Sequence, residues 1–445
     1  MEQQFIKVSG ENFVFHDRKI VLRGFGVGSW MNLEHFMIGL PGTEHQIKQA
    51  FTEVYGQEGM ESFFDKFLTN FLDENDFRFF KELGINVLRL PVNYHYFLDD
   101  QNPKQYLMQG FQYLDHVISL CEKHNIYAII ELHTAPGGQN PDWHCDTHSG
   151  LPLFWEYAAL RESFTGMWRF IAEHYRNNPW IAGYDILNEP SFVPSAAIIN
   201  EFFTQTIAAI RQVDPNHVIF LEGNNFAKDF SFLAGPQDPQ VAYSFHYYPT
   251  VDDPTMFDRD FPVERRKKYF RENFLPLLQI REKFHRPLWC GELGVIFNKE
   301  TIEFERELIR EMLDLCEEFN VSWTIWAYKD AQRMGIVFPK DVTPWMHLTN
   351  RIRKEWDQSR EMSMGEEAVD YLCQKYFKPV GTDLRYALQF RIRTLFHTIC
   401  VEEYLKPALR DISKEQLPNL AESFAFKNCG YWDELVSLIQ EYTFT

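Results

Sequence analysis

Short apolar runs alternate with longer amphipathic stretches over most of the chain. Eight runs carry a strand pattern, rich in β-branched and aromatic residues and closed by polar, Gly or Pro residues: 20–30, 85–92, 126–135, 181–190, 217–224, 241–248, 287–294 and 321–329. Between them apolar positions recur at helical spacing over 71–83, 111–124, 160–175, 197–213, 265–284 and 302–319. In the first of these Phe71, Leu72, Phe79, Phe80 and Leu83 share a face, and Gly84 follows as a stop. Eight strand–helix units in series predict an α/β fold whose parallel sheet closes on itself, the (β/α)8 TIM barrel. The rival, an open doubly wound sheet, would carry GxGxxG after its first strand. Gly24-Phe25-Gly26-Val27-Gly28 lacks that spacing.

Three stretches fall outside the repeat. Residues 1–19 read as a hairpin turning at Gly10-Glu11-Asn12, a plug for the barrel floor. Residues 31–70, with a helical pattern over 44–54, form a long insertion after strand one, the place for a wall or lid. Beyond 351 the pattern is helical without strands, with helices over 366–377, 385–405 and 431–442. The expected organisation is a catalytic barrel over 1–355 and a helical extension over 356–445 packed on it.

Length agrees: 445 residues hold a barrel of ~250 residues with insertions. The 41 Phe suit a large core, while 11 Trp and 20 Tyr are numerous enough to supply flat platforms in a wet cleft. The net charge of −19 repels phosphate backbones and anionic lipid, so neither nucleic acid nor a membrane is an expected partner. No apolar run approaches the ~20 residues of a membrane span. The opening Met-Glu-Gln-Gln-Phe-Ile-Lys-Val does not read as a secretion signal. The seven cysteines are widely spaced with no CxxC, as free thiols are, so a cytoplasmic address is expected.

In such a barrel chemistry lies at the carboxyl ends of the strands. Those positions hold Arg89, Glu131-Leu132-His133, Asp185-Ile186-Leu187-Asn188-Glu189-Pro190, His246-Tyr247-Tyr248, Gly291-Glu292-Leu293-Gly294 and Trp326. A lone Glu at a strand end is most simply a structural ion pair. Glu189 and Glu292 instead face each other from strands four and seven, with Asn, His, Tyr and Trp nearby. Opposed carboxylates suit glycoside hydrolysis, in which one protonates the leaving oxygen and the other attacks the anomeric carbon or activates water. Glu131 shares a strand face with His133, as mouth lining or as support. His144, Cys145, Asp146 and His148 are irregularly spaced, without CxxC or HExxH, so no metal and no cofactor is expected, and the loop reads as sugar-contacting or solvated. The run Arg265-Arg266-Lys267-Lys268 reads as a solvated helix face.

Leu187-Asn188-Glu189-Pro190 resembles the Asn-Glu-Pro signature of glycoside hydrolase family 5, a retaining clan A family. Arg89, His133, Asn188, Glu189, His246, Tyr248, Glu292 and Trp326 fall in the order of that family's eight recurrent site residues. The resemblance implies net retention, with Glu189 as acid/base and Glu292 as nucleophile. It implies sugar contacts or support from the other six: Asn188 to a 2-hydroxyl, Arg89 and Tyr248 donating to Glu292, His246 orienting Glu189, and Trp326 as the floor. The run from His133 through Pro136-Gly137 to Gln139-Asn140 is similar to the exo-β-1,3-glucanase branch, adding Gln139, Asn140 and Trp143 as candidate substrate contacts. The chain departs from that branch at 143–148, in the 31–70 insertion and in its helical C-terminus. The expected activity is exo-cleavage of short β-linked gluco-oligosaccharides. Alternatives are a β-mannosidase, an endo-β-glucanase, a glycolipid β-glucosidase or, in another class, a non-catalytic carbohydrate-binding barrel. Acid/base work further predicts that burial and Glu292 raise the pKa of Glu189.

Overall fold

The computed structural model describes residues 4–147, 149–235, 238–356, 358–376 and 382–444. His148 and Phe377, which fall in the loop and helix singled out above, lie outside them. Eight parallel strands close into a barrel: β1 Arg23–Gly26, β2 Val87–Val92, β3 Tyr127–Leu132, β4 Ile181–Asp185, β5 Val218–Glu222, β6 Val241–Tyr247, β7 Leu288–Leu293 and β8 Ser322–Trp326, with β8 pairing back onto β1. Each lies within the run that predicted it. The largest shortening at a carboxyl end is in β4, whose ladder ends at Asp185. Glu189 therefore stands on a loop, where its backbone is left-handed (φ 47°) and cannot continue a strand.

Alternation along the strands sorts the two faces of the barrel wall. Leu88, Leu90, Ala128, Ile130, Tyr184, Ile219, Leu221, Tyr243 and Phe245 belong to the core that packs on the surrounding helices. Val87, Ile129, Val218, Phe220, Ala242 and Trp289 form a second, smaller cluster inside the barrel. The N-terminal segment completes this floor. It is a three-stranded antiparallel meander, Lys7–Ser9, Asn12–Phe15 and Arg18–Ile20, rather than a single hairpin. His16 and Asp17, both at positive φ, make the second turn that the hydrophobic pattern hid. Phe13 enters the floor cluster and lies 5.7 Å from the Phe220 ring.

The insertion after β1 holds helices His35–Ile38, Glu44–Tyr55 and Gln57–Phe71, one more turn-rich and far more helical than a loop. Thr43 and Gln46 close a capping box that starts the second. The third lays Phe63, Phe67 and Phe71 against Trp345 and Phe424, so the insertion and the C-terminal region share one aromatic core. A buried lysine ties them to the barrel: Lys329 Nζ donates to Phe71 O (2.6 Å) and Phe424 O (2.9 Å) and pairs with Asp76 (2.6 Å).

The C-terminal region contains helices Gln358–Tyr376, Thr382–Cys400 and Asp433–Thr443. It is not wholly helical. Cys429–Tyr431 pairs antiparallel with Val337–Pro339, three residues too short to show as a strand pattern. The last helix docks on helix Ile302–Glu318 through Arg310–Glu441 (2.6 Å) and Tyr442–Asp314 (2.6 Å). Among the described residues no helix is long and apolar enough to cross a membrane.

Candidate active site

Above the floor the barrel interior turns polar. Arg89, on β2 and fully buried, is the hub. Its guanidinium bonds Glu292 and Asn188 Oδ1 (2.7 Å) and lies 3.5–3.6 Å from Glu131, Asp185 and Glu222. Tyr248, just past β6, donates to the other oxygen of Glu292 at 2.6 Å. Glu292 thus has a donor on each carboxylate oxygen.

Glu189 faces it across His246. His246 Nδ1 is 2.6 Å from Glu189 Oε1 and 3.5 Å from Glu292 Oε2. One oxygen of each glutamate and an imidazole nitrogen lie within 4.8 Å of one another. Among the described residues this is also the set with metal-ligand spacing, but Arg89 already holds a cation on Glu292, which opposes a second one. His246 Nε2 points the other way, 3.1 Å from Glu222.

The charge states of this pair depart from expectation. Burial raises the Glu189 pKa, as anticipated. His246 beside it, then His144 and His133, outweigh burial and bring it down to about 2. For His246 burial works downward, and Glu222, Glu292 and Glu189 together lift it well above the usual imidazole range. The imidazole and the carboxylate favour each other's charged forms, the histidine pushed up and the glutamate down. The imidazole of His246, 2.6 Å from Glu189, outweighs the Glu292 charge from which a raised pKa is expected.

The floor of the mouth is built from β8 and β1. Trp326 is 3% exposed and runs parallel to His133, with ring centroids 5.4 Å apart. A Cβ at Gly26 or Gly28 would stand 2.6 or 2.7 Å from the indole. The glycine-rich run of β1 makes room for a flat tryptophan. His133 is itself oriented by Glu131 (3.0 Å).

The loop after β3 is largely buried rather than solvated. Gln139, expected on the sugar, spends its amide on His133 O (2.7 Å), Asn188 O (2.9 Å) and the Ala135 N–H (3.1 Å). Asn140 likewise donates to Glu189 O (2.9 Å) and contacts His144 Nε2 (2.8 Å). Both residues brace the Asn188–Glu189 backbone, and neither has an amide group left over for a ligand. His144 faces Glu189 (3.4 Å), Cys145 donates to Asn140 O (2.8 Å) and Asp146 accepts from His45 N (2.9 Å), so the three side chains diverge and do not converge on an ion. Trp143 sits under the Arg393 guanidinium at 3.8 Å, with helix Thr382–Cys400 lying over the loop.

Two acids were missed. Glu34, from the insertion, is 6% exposed and lies 3.7 Å from His133 Nε2. Burial, Glu292 and Glu189 raise its pKa well above normal. Glu222 ends β5. A Glu closing an apolar strand was visible there in Phe220-Leu221-Glu222, but without a partner motif it carried no signal.

A closed parallel barrel with paired carboxylates at the carboxyl-end mouth defines the glycosidase class of site. The comparisons agree. Residues 47–332 match the family model Cellulase (glycosyl hydrolase family 5). A β-xylosidase of Phanerodontia chrysosporium is 36% identical, covering 98% of each chain. A probable glucan 1,3-beta-glucosidase A of Aspergillus fumigatus is 25% identical over 52% of this chain and 57% of its own. The crystal structure of an endogalactoceramidase shares the fold with a TM-score of 0.55 and 18% identity, over 73% of this chain and 75% of that one. The chain belongs to glycosyl hydrolase family 5 and is an O-glycosyl hydrolase of the retaining type.

Proposed function

We propose that the protein is an exo-acting β-glycosidase on short gluco-oligosaccharides, with Glu292 as nucleophile and Glu189, paired with His246, as acid/base. The observation that carries this is the convergence of the two glutamates on His246, with oxygens within 4.8 Å. Retention needs carboxyl groups ~5–5.5 Å apart, too close for the water that an inverting enzyme places between them. Glu292 attacks the anomeric carbon while the Glu189–His246 pair gives its proton to the departing oxygen. Water, activated by the same pair, then releases the sugar. Asn188 has its Oδ1 held by Arg89 and its Nδ2 3.4 Å from His133 Nε2, a donor for a 2-hydroxyl.

Exo action is supported by the enclosure of the mouth. Glu34 of the insertion meets His133, and Trp143 lies beneath Arg393 of the C-terminal helix. Similarity to the glucan 1,3-beta-glucosidase supports glucose as the sugar. The β-xylosidase, similar over nearly its whole length, favours a second reading in which the sugar is xylose. A cytoplasmic home fits the buried free thiols at Cys121, Cys145, Cys290 and Cys316.

Aryl β-glycosides of the gluco, xylo, manno, galacto and fuco series, with product sizing on oligosaccharides, test the substrate. Monosaccharide release from the gluco series is expected, and internal cuts would overturn exo action. Roles are tested with a dinitrophenyl glycoside. Glu189→Ala should retain the first step and yield a β-glycosyl azide when azide is added. Azide rescue confined to Glu292→Ala would reverse the assignment.

A further inference from the structure

Glu222 is fully buried at the end of β5 and meets the machinery on four sides. Its Oε2 accepts the Glu189 backbone N–H at 2.6 Å. Its Oε1 accepts from Ser244 Oγ (3.1 Å), faces His246 Nε2 (3.1 Å) and lies 3.5 Å from Arg89 Nη2. Two of these contacts answer specific needs. The Glu189 backbone is left-handed, a conformation that a non-glycine residue keeps only when its surroundings hold it. His246 lies between Glu222 and Glu189, so a carboxylate on Nε2 decides how firmly the ring holds a proton on Nδ1.

We propose that Glu222 is the positioning residue of the acid/base pair: it anchors the Glu189 backbone and, by its charge on His246 Nε2, sets the pH up to which the pair keeps the proton that the leaving group needs. This rests on the acid/base role given to Glu189 above.

The pair is surrounded by other charges, and their contributions differ. Glu292 on β7 adds negative charge, as does Glu131 on β3 where ionised, although burial moves its pKa up to about 8, whereas burial, Glu292 and Glu189 hold the Glu34 carboxyl on the insertion well above the usual carboxylate range. Asp185 on β4 is pushed well above the carboxylate range by burial and by Glu222. Arg89 on β2 adds positive charge, burial holds the His133 imidazole just past β3 well below its usual range, His144 lies 3.4 Å from Glu189, and Tyr248 after β6 is occupied by Glu292. Among the acids raising the His246 pKa, Glu222 contributes most.

The sign follows. A negative charge beside the pair raises its affinity for the proton, so losing that charge moves the basic limb of the kcat/KM profile to lower pH. Glu222→Gln keeps an oxygen for the Glu189 N–H and removes the charge. Glu222→Asp keeps the charge and shortens the reach to the backbone. With an unactivated aryl glycoside, Glu222→Gln should move the basic limb down by about one pH unit or more, the size of a charge effect at this range. Glu222→Asp should leave the limb in place and lower kcat. A purely structural role would be preserved by Gln, so an unmoved limb in a folded Glu222→Gln enzyme would overturn the proposal. If that variant does not fold, Glu222→Asp still decides: a limb that moves with the charge retained overturns it. The Glu189→Ala profile keeps the two ideas apart. If Glu189 is not the acid/base, the basic limb persists in Glu189→Ala. If only the Glu222 proposal fails, that limb vanishes in Glu189→Ala and stays unmoved in Glu222→Gln.

Discussion

The lower and upper halves of the barrel interior are made by the same strands and obey opposite rules. Two residues along β2 carry the chain from Val87 to Arg89, along β3 from Ile129 to Glu131, and along β5 from Phe220 to Glu222. Each step is about 7 Å. Below it, Phe13, Phe220 and Trp289 fill the space with apolar rings and contribute stability through burial. Above it, carboxylates crowd around one guanidinium, and burial makes every charge there costly unless paired. Asp185 shows the cost: neither of its buried carboxylate oxygens has a hydrogen-bond partner, and burial drives its pKa up. The lower layer holds the fold together, and the upper layer gives up part of that stability to place charge where a reaction needs it.

Variants in each layer test the contrast. The largest effect is expected from Glu292→Ala, which should lower turnover by roughly five orders of magnitude, as loss of a nucleophile does. Its melting temperature should stay within a few degrees of the parent, measured by calorimetry, because a carboxylate in the upper layer contributes little to the fold. A large drop in melting temperature would erase the distinction. Arg89→Met is the variant that crosses the boundary. It leaves Glu131, Asp185, Glu222 and Glu292 without their shared cation, so it should cost about 3–5 kcal/mol in urea unfolding as well as activity.

Phe220→Ala is the converse. Removing a fully buried floor ring should destabilise by about 3–4 kcal/mol, with kcat of the folded enzyme changed by less than about twofold. A loss of kcat without a loss of stability would show that the layers are not separable. The smallest effect concerns Glu131. Burial pushes its pKa from the ordinary 4.5 up to about 8, so between those values the folded state holds more protons than the unfolded one and stability falls as pH rises. Urea midpoints between pH 5 and pH 8 should therefore decline less in Glu131→Gln than in the parent. An equal decline in both would remove Glu131 as the source.

Much of this was legible before any coordinates. The apolar runs located all eight barrel strands, because strands packed on the helical shell must be apolar wherever they face it. The two glutamates stood out because they form an opposed pair on strands four and seven with Asn, His, Tyr and Trp nearby, where a lone Glu would read as a structural ion pair. Legibility failed where a residue acts through a partner distant in sequence. Gln139 and Asn140 looked like sugar ligands and turned out to brace the Glu189 loop, since their hydrogen-bond partners lie 49 residues away in the chain.

The chain by itself determined the barrel, its direction, the strand ends and the pair of carboxylates that face each other there, because periodicity and strand-end position are local properties. The electrostatic surroundings of that pair were decided only in the folded molecule. Glu189 has no charged residue beside it in the chain, yet in the barrel it meets His246 at 2.6 Å, and His246 meets Glu222 at 3.1 Å. Coulomb energy depends on distance through the fold and on burial, and neither is written in the spacing of residues along a chain.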